Sequence, residues 1–363
     1  MRKKTRQIKI GNVAIGGDAP VSVQTMSNAH PHDEAALLRQ IRDAADVGCD
    51  IMRLTVPDEQ AAAAFKRVRE QSPFPLVADI HFDYRLALAA LEAGADGLRI
   101  NPGNIGGVDR VKAVVTAARA RGVPIRIGVN GGSLEKDILA RHGGATPEAL
   151  VESALRHVAL LEAEDYHEIK ISVKASDVPR TIAAYRLLAQ QTDYPLHLGV
   201  TEAGTFIPGT VRSCVALGVL LTEGIGDTLR VSLTDAPAKE VRVGVELLRS
   251  IGLRAPGASV TSCPTCGRTR VDVAALATQV EECLERFYRE HPAAPRPHIA
   301  VMGCVVNGPG EARGADIAVA GGDGCFALFV RGKQIRVVPE SEALASIVEL
   351  AEQWGNRAHT NIG

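Results

Sequence analysis

EAGADGLRIN, residues 92 to 101, joins an Ala-rich helical end, a glycine and a short apolar run that closes on Arg99 and Asn101. DVGCDIMRLTV, residues 46 to 56, repeats the arrangement and closes on Arg53 and Thr55. A glycine just past the last helical residue accepts the left-handed backbone that ends a helix, and the apolar run beyond it reads as a strand. Strands alternating with helices fold through right-handed crossovers into a parallel sheet. Whether that sheet stays open or closes depends on how often the unit recurs.

Between residues 20 and 250 the strand candidates are VSVQT (21–25), DIMRLTV (50–56), PLVADI (75–80), GLRIN (97–101), PIRIGV (124–129), EIKISV (168–173), YPLHLGV (194–200) and DTLRVSL (227–233). Helical patterns fall between them, among them 33–48, 58–71, 107–122 and 146–164. Eight such units fit a (β/α)8 TIM barrel, whose usual length is about 250 residues. A doubly wound open sheet is the rival, but no G-x-G-x-x-G opens its first helix, so the dinucleotide-binding form lacks its fingerprint. The predicted class is α/β, with a barrel over residues 1–255. After it, SIGLRAPGASVTSCP (250–264) breaks the repeat. A helix over 272–290, a Pro-rich link over 291–297, β-like runs at 298–302, 315–320, 326–330 and 333–338, and a terminal helix near 340–355 predict a smaller α+β domain over 256–363.

Of the 363 residues, 46% are hydrophobic and 23% charged, ordinary for a globular protein, and the formal net charge is −1. No basic field or aromatic platform points to nucleic acid. The segment MRKKTRQIKIGNVAIGG has no continuous apolar run and no stretch is apolar enough to span a bilayer, so no secretory signal and no membrane partner are expected and the expected location is cytoplasmic.

Polar residues gather where a barrel keeps its active site, at the C-terminal strand ends. They are Gln24, Arg53, Thr55, Asp79, His81, Arg99, Asn101, Arg126, Asn130, Lys174, Thr201, Glu202, Arg230 and Ser232. A cation inside an apolar strand is expensive unless an anion satisfies it. Guanidinium forks at corresponding ends of several strands predict a clamp for a phosphate or diphosphate. The loops NPGNIGG (101–107) and IGVNGGSLEKD (127–137) offer backbone N–H groups to the same ligand, though turn chemistry alone accounts for their glycines. His81 reads equally as an acid/base group or a satisfied core histidine, and Glu202 as a hydrogen-bonding partner or a catalytic acid.

Of seven cysteines, Cys49, Cys214, Cys283 and Cys325 read as small buried hydrophobes, and the odd total argues against a disulfide framework. Cys263 and Cys266 lie in CPTCGR (263–268), and Cys304 in GCVVNGPGE (303–311). Three thiolates favour zinc or an iron–sulfur cluster over hard metals. His298 would complete a zinc site, whereas Glu311, a poor soft-metal ligand on the Cys304 loop, would leave an iron open to substrate.

CPTCGR and GCVVNGPGEA, together with MRLTVP, ADIHFDYR, GLRINPGN, IRIGVNGGSL, VKASD and GVTEAG, resemble the 4-hydroxy-3-methylbut-2-en-1-yl diphosphate synthase family in its short bacterial two-domain form. The resemblance implies a barrel followed by a cluster domain, with a [4Fe–4S] cluster on Cys263, Cys266, Cys304 and Glu311. It implies reductive opening and dehydration of 2-C-methyl-D-erythritol 2,4-cyclodiphosphate, an oxidoreductase step of non-mevalonate isoprenoid biosynthesis. Ferredoxin or flavodoxin would supply the electrons, and the family forms head-to-tail homodimers. Substrate contacts carry over onto Arg53, Arg99, Arg126, Asn130, Lys174, Thr201, Arg230 and Ser232, with Asp79 and His81 beside them, and Glu202 takes the proton donor's position. The alternative reading is a zinc-stabilised, phosphate-binding barrel enzyme without redox chemistry, of aldolase or pterin-synthase type.

Overall fold

The computed structural model describes residues 2–101, 104–304, 310 and 314–354. The chain divides into two units, Met1–Arg254 and Ala255–Gly363. The first begins with an antiparallel hairpin, β1 (Ile8–Ile10) and β2 (Val13–Ile15). Then come β3 (Ser22–Met26), β4 (Ile51–Thr55), β5 (Leu76–Asp79), β6 (Gly97–Ile100), β7 (Ile125–Asn130), β8 (Ile169–Lys174), β9 (His197–Leu198) and β10 (Thr228–Leu229). They form one parallel eight-stranded sheet in the order β8-β7-β6-β5-β4-β3-β10-β9. A parallel bridge between Ile171 and Leu196 joins its two ends and closes the barrel. The helices Glu34–Asp46, Glu59–Arg69, Val108–Arg121 and Pro147–Glu162 lie where the sequence predicts them. Several start on a side-chain cap: Asp33, Asp58, Asp83 and Asp177 each accept a backbone N–H of the first turn.

The strands have two chemically different faces. Met52, Leu54, Leu76, Ala78, Leu98, Ile100, Ile127, Val129, Ile171 and Val173 belong to the large aliphatic core shared with the surrounding helices. Side chains alternate along a strand, so the residues between them point into the barrel. At the N-terminal end that interior is apolar, with Ile51 and Val77 packed under Ile8, Ile10 and Ile15 of the hairpin. Above this plug it is polar: Ser22, Gln24, Asp79, Arg126, Lys170, Ser172, Lys174, His197 and Thr228 are all buried. A barrel of this class ordinarily fills its interior with branched aliphatics. Here that filling is confined to the floor.

The second unit holds β11 (Ser259–Ser262), β12 (His298–Met302), β13 (Ile317–Gly321), β14 (Cys325–Val330) and β15 (Lys333–Pro339), in sequence order across one sheet. The first two pairings are parallel and the last two antiparallel. Helices Val273–Glu290 and Glu340–Glu352 bury Val280, Leu284, Ile347 and Leu350 against Ile299, Val301, Ile317, Val319, Phe326 and Leu328. Sequence patterning does not reveal three of the strands. β1 and β2 are three residues each inside a stretch read as merely basic, and β11 is the polar run SVTS. Among the described residues no helix is long and apolar enough to cross a membrane.

Candidate active site: a cationic barrel interior and a cysteine edge

Strand register places the cations side by side. Arg99 pairs with Arg126 and Arg126 with Lys170 in the ladder, while Asn130 pairs with Lys174. Asp79, which pairs with Arg99, is the acid among them. Its Oδ1 accepts from Arg99 Nη1 at 3.1 Å, and Arg53 Nε lies 3.6 Å from its Oδ2. Burial alone would raise the Asp79 carboxyl, but Arg53 and Arg99, then His81 and Arg126, outweigh it and hold the group below its ordinary value. Arg230 has an acid of its own. Its Nε and Nη2 donate to Glu240 at 3.1 and 3.0 Å, and Glu240 also accepts from Thr25 Oγ1 and the Leu233 amide.

Arg126 and Lys174 are different. Both are buried, and among the described residues neither has a carboxylate partner; Arg126 Nη1 reaches only the Ser172 hydroxyl, at 3.5 Å. Burial, then the neighbouring arginines, pushes both well below their ordinary values. Arg53 is lowered to about 10, by burial against the opposing pull of Asp79. Gly199 makes room for this crowding, since a Cβ there would stand 2.5 Å from Lys174 Nζ. The barrel therefore holds more positive charge than its own carboxylates neutralise, as an anion site requires.

The remaining residues read from the sequence line the same strand ends. Asn130 closes β7, Thr201 and Ser232 are half-buried past β9 and β10, and His81 follows β5. His81 is exposed, which removes the core-histidine reading. Glu202 is also exposed and sits at φ +53°, a left-handed backbone that non-glycine residues seldom adopt. Glu240, His197 and Lys170 are inward-facing groups that the sequence reading did not assign to the site. The signal for Glu240 was an acid on the apolar stripe that Val241, Gly244, Val245 and Leu248 form along its helix.

In the second unit, β11 and β12 run parallel with Ser262 opposite Val301, so both deliver cysteines at the same end. Cys263 follows β11 directly, and its Sγ accepts the Gly303 N–H at 3.2 Å. Cys304 is the next residue. Gly303 permits a close approach there, since a Cβ would come within 2.9 Å of the Thr269 and Val273 side chains. Thr265, inside CPTC, is held at φ +63°. Exposed Cys266 is drawn below the ordinary thiol range by the Arg268 backbone N–H and then by its guanidinium, and Arg268 also feels Cys304. Among the described residues no three His, Cys, Asp or Glu side chains are gathered to hold a metal. Glu311 lies outside the described residues. His298 starts β12, four residues from Met302, about 13 Å from the cysteine end at the strand's rise. It bonds instead to Thr261 Oγ1 at 2.8 Å, so it does not complete a zinc site with the three cysteines.

Family models match both units: the GcpE TIM-barrel domain over residues 5–245 and the GcpE protein C-terminal domain over 259–353. The chain is 56% identical over 355 residues to the 4-hydroxy-3-methylbut-2-en-1-yl diphosphate synthase (flavodoxin) of Geobacter sulfurreducens, covering 97% of this chain and 98% of that one. It is 57% identical over 343 residues to the protein of the same name from Maridesulfovibrio salexigens, covering 94% of each. Among solved structures, a truncated 3-deoxy-D-arabino-heptulosonate 7-phosphate synthase from Thermotoga maritima superposes with a TM-score of 0.50 at 11% identity, covering 69% of this chain and 94% of that one. At that identity the likeness is one of fold only. By sequence across both units, the chain belongs to the GcpE family.

Proposed function

We propose that this chain is an oxidoreductase that opens 2-C-methyl-D-erythritol 2,4-cyclodiphosphate reductively to 4-hydroxy-3-methylbut-2-enyl diphosphate, with flavodoxin as electron donor. The observation that carries this reading is the surplus of cations inside the barrel, where Arg126 and Lys174 lack carboxylates among the described residues. A diphosphate supplies the missing charge. Arg53, Arg99 and Arg230, held in place by Asp79 and Glu240, form a clamp that need not reorganise when the anion arrives. Asn130, Thr201 and Ser232 offer uncharged donors and acceptors at the rim.

Opening the ring leaves its oxygen on the diphosphate, and the accompanying dehydration expels a hydroxyl as water, so a proton must reach that departing hydroxyl. Glu202 is the candidate donor: exposed, at the strand end, and fixed by an uncommon backbone conformation. His81 is the second candidate, two residues past Asp79 at the same strand end. A [4Fe–4S] cluster fits the donor set of the second unit, with Cys263, Cys266 and Cys304 as thiolates and Glu311 as the exchangeable carboxylate. When bound, it supplies electrons one at a time, which ring opening without hydride chemistry needs. The edge prepared for it is polar: the Gly303 N–H already donates to Cys263 Sγ, and Arg268 places positive charge beside Cys266 and Cys304. As the family resemblance implies, the working unit is a homodimer.

Anaerobic purification tests this reading directly. A brown protein carrying iron and acid-labile sulfide that turns over the cyclic diphosphate with reduced flavodoxin is the expected result. A colourless protein holding zinc and no iron would remove the redox reading.

A further inference from the structure

Beneath the clamp lies a lysine that the proposed reaction does not use. Lys170 is on β8, four residues toward the floor from Lys174 and on the same inward face, and in the ladder it pairs with Arg126. It is 2% exposed, and its Nζ has no hydrogen-bond partner among the described residues. Beside it, Gln24 Oε1 and Arg126 Nε are also buried without partners among the described residues. Gln24, Arg126 and Lys170 share a cavity of about 10 Å³ with Ile10, Val77 and Gly97, room for roughly one water molecule. Of the hairpin isoleucines, Ile10 lines this cavity and is itself packed with Ile8 and Ile15.

The charged groups facing Lys170 are mostly cations: Arg126 on β7, Arg53 on β4 and Lys174 on its own strand, with His197 on β9 and one acid, Asp227. The acids within reach are committed elsewhere. Asp79 holds Arg53 and Arg99, while Asp227 accepts from Arg2 Nη2 at 2.8 Å, Thr5 Oγ1 at 3.0 Å and the Leu196 amide at 2.8 Å. An ammonium in such a place has no water shell, and its one opposing charge, Asp227, is shared with Arg2. Burial first, and then Arg126, favour the uncharged amine. A multiply charged anion seated on Arg126 and Lys174 reverses the balance, because it cancels the repulsion that keeps the amine neutral.

We propose that Lys170 is a proton-accepting group in the barrel floor, which takes one proton from solvent when a diphosphate is bound among the cations above it. The amine becomes an ammonium and no other bond changes. The Ser172 hydroxyl lies between Lys170 and Lys174 on the same face, 3.5 Å from Arg126 Nη1. Binding affinity for the diphosphate then falls as pH rises, through a group that does not touch the ligand.

This inference rests on the anion-clamp reading, and one experiment separates the two. The full-length protein is titrated calorimetrically with inorganic diphosphate at mildly alkaline pH, in buffers of contrasting ionisation enthalpy, and the slope of heat against that enthalpy gives protons taken up. Wild type should take up about one proton more than either Lys170→Met, which is never charged, or Lys170→Arg, which is always charged. Lys170→Met should bind roughly tenfold more weakly, as the loss of one favourable charge predicts, and Lys170→Arg close to wild type. Each variant is first checked for an intact thermal transition, and Lys170→Arg carries the test if Lys170→Met does not fold. Equal uptake in wild type and variants, or no uptake by wild type that binds, overturns the assignment of Lys170 alone. Failure of wild type to bind diphosphate overturns the clamp itself.

Discussion

Arg126 shows what the proposed anion clamp asks of a single residue. Its guanidinium is buried, lacks a carboxylate among the described residues, and is pushed below its ordinary value first by burial and then by Arg53 and Arg99. Arg126→Met should therefore raise the thermal midpoint, because it removes an uncompensated buried charge. The same change should weaken diphosphate binding by about 10- to 150-fold, the equivalent of one charge-assisted hydrogen bond at 1.5–3 kcal/mol. Differential scanning calorimetry and a binding titration read the two effects separately, and a variant that loses stability without losing affinity would move Arg126 into a structural role. Asp79 gives the opposite sign. Its pKa is held below the ordinary carboxyl value of about 3.9, so its contribution to stability is complete above that pH and disappears as pH falls through the lower folded value. Asp79→Asn should destabilise the barrel by about 3 kcal/mol at neutral pH, since Arg53 and Arg99 lose their acid, and should flatten this part of the acid unfolding curve. The arginines were legible in the sequence because charge inside an apolar strand run is conspicuous. Glu240 was not, because its significance depends on which helix face meets β3 and β10, and only the fold decides that.

At the scale of elements, the sequence carried the barrel well and its closure poorly. Gly94 and Gly48, both with positive φ, stop helices before β6 and β4 as their context suggests. The runs YPLHLGV and DTLRVSL look like full strands, yet their ladders last only two residues, His197–Leu198 and Thr228–Leu229. Apolar length reports burial and not pairing. Gly199 ends the first ladder at the point where Lys174 needs its space. The floor hairpin escaped notice because each strand offers three residues, too few for periodicity to stand out. Its effect on the site is nevertheless direct, because it keeps water from the base of a polar interior. Ile15, fully buried in the plug, is the residue that tests it. Ile15→Ala should cost about 2–5 kcal/mol in a urea unfolding curve. It should also admit water to the floor, so that exchange of the amides around Gln24 and Val77 quickens more than elsewhere in the barrel. Uniform acceleration would mean that the hairpin stabilises the barrel without sealing it.

At the scale of the whole molecule, each unit has its own hydrophobic core. The barrel's is the aliphatic shell around β3 to β10, and the second unit's is built on Val280, Leu284, Ile299, Val319 and Phe326. Cys263, Cys266 and Cys304 all lie in the second unit, where Cys263 and Cys304 leave adjacent strands at one end. The proposed cluster, bound to the folded form alone, would stabilise only the unit that carries it. Calorimetry of the anaerobic protein should then show two transitions, one of which falls in temperature after oxidative loss of iron while the barrel transition stays. Inorganic diphosphate should do the converse, raising the barrel transition by a few degrees at saturating concentration and leaving the other unmoved. Glu311→Ala should retain part of the iron on three thiolates while turnover drops severely, because the carboxylate's proposed role is to leave rather than to hold. If cluster loss moved both transitions together, the two cores would be energetically one, and substrate capture and electron delivery would have to be treated as a single cooperative event.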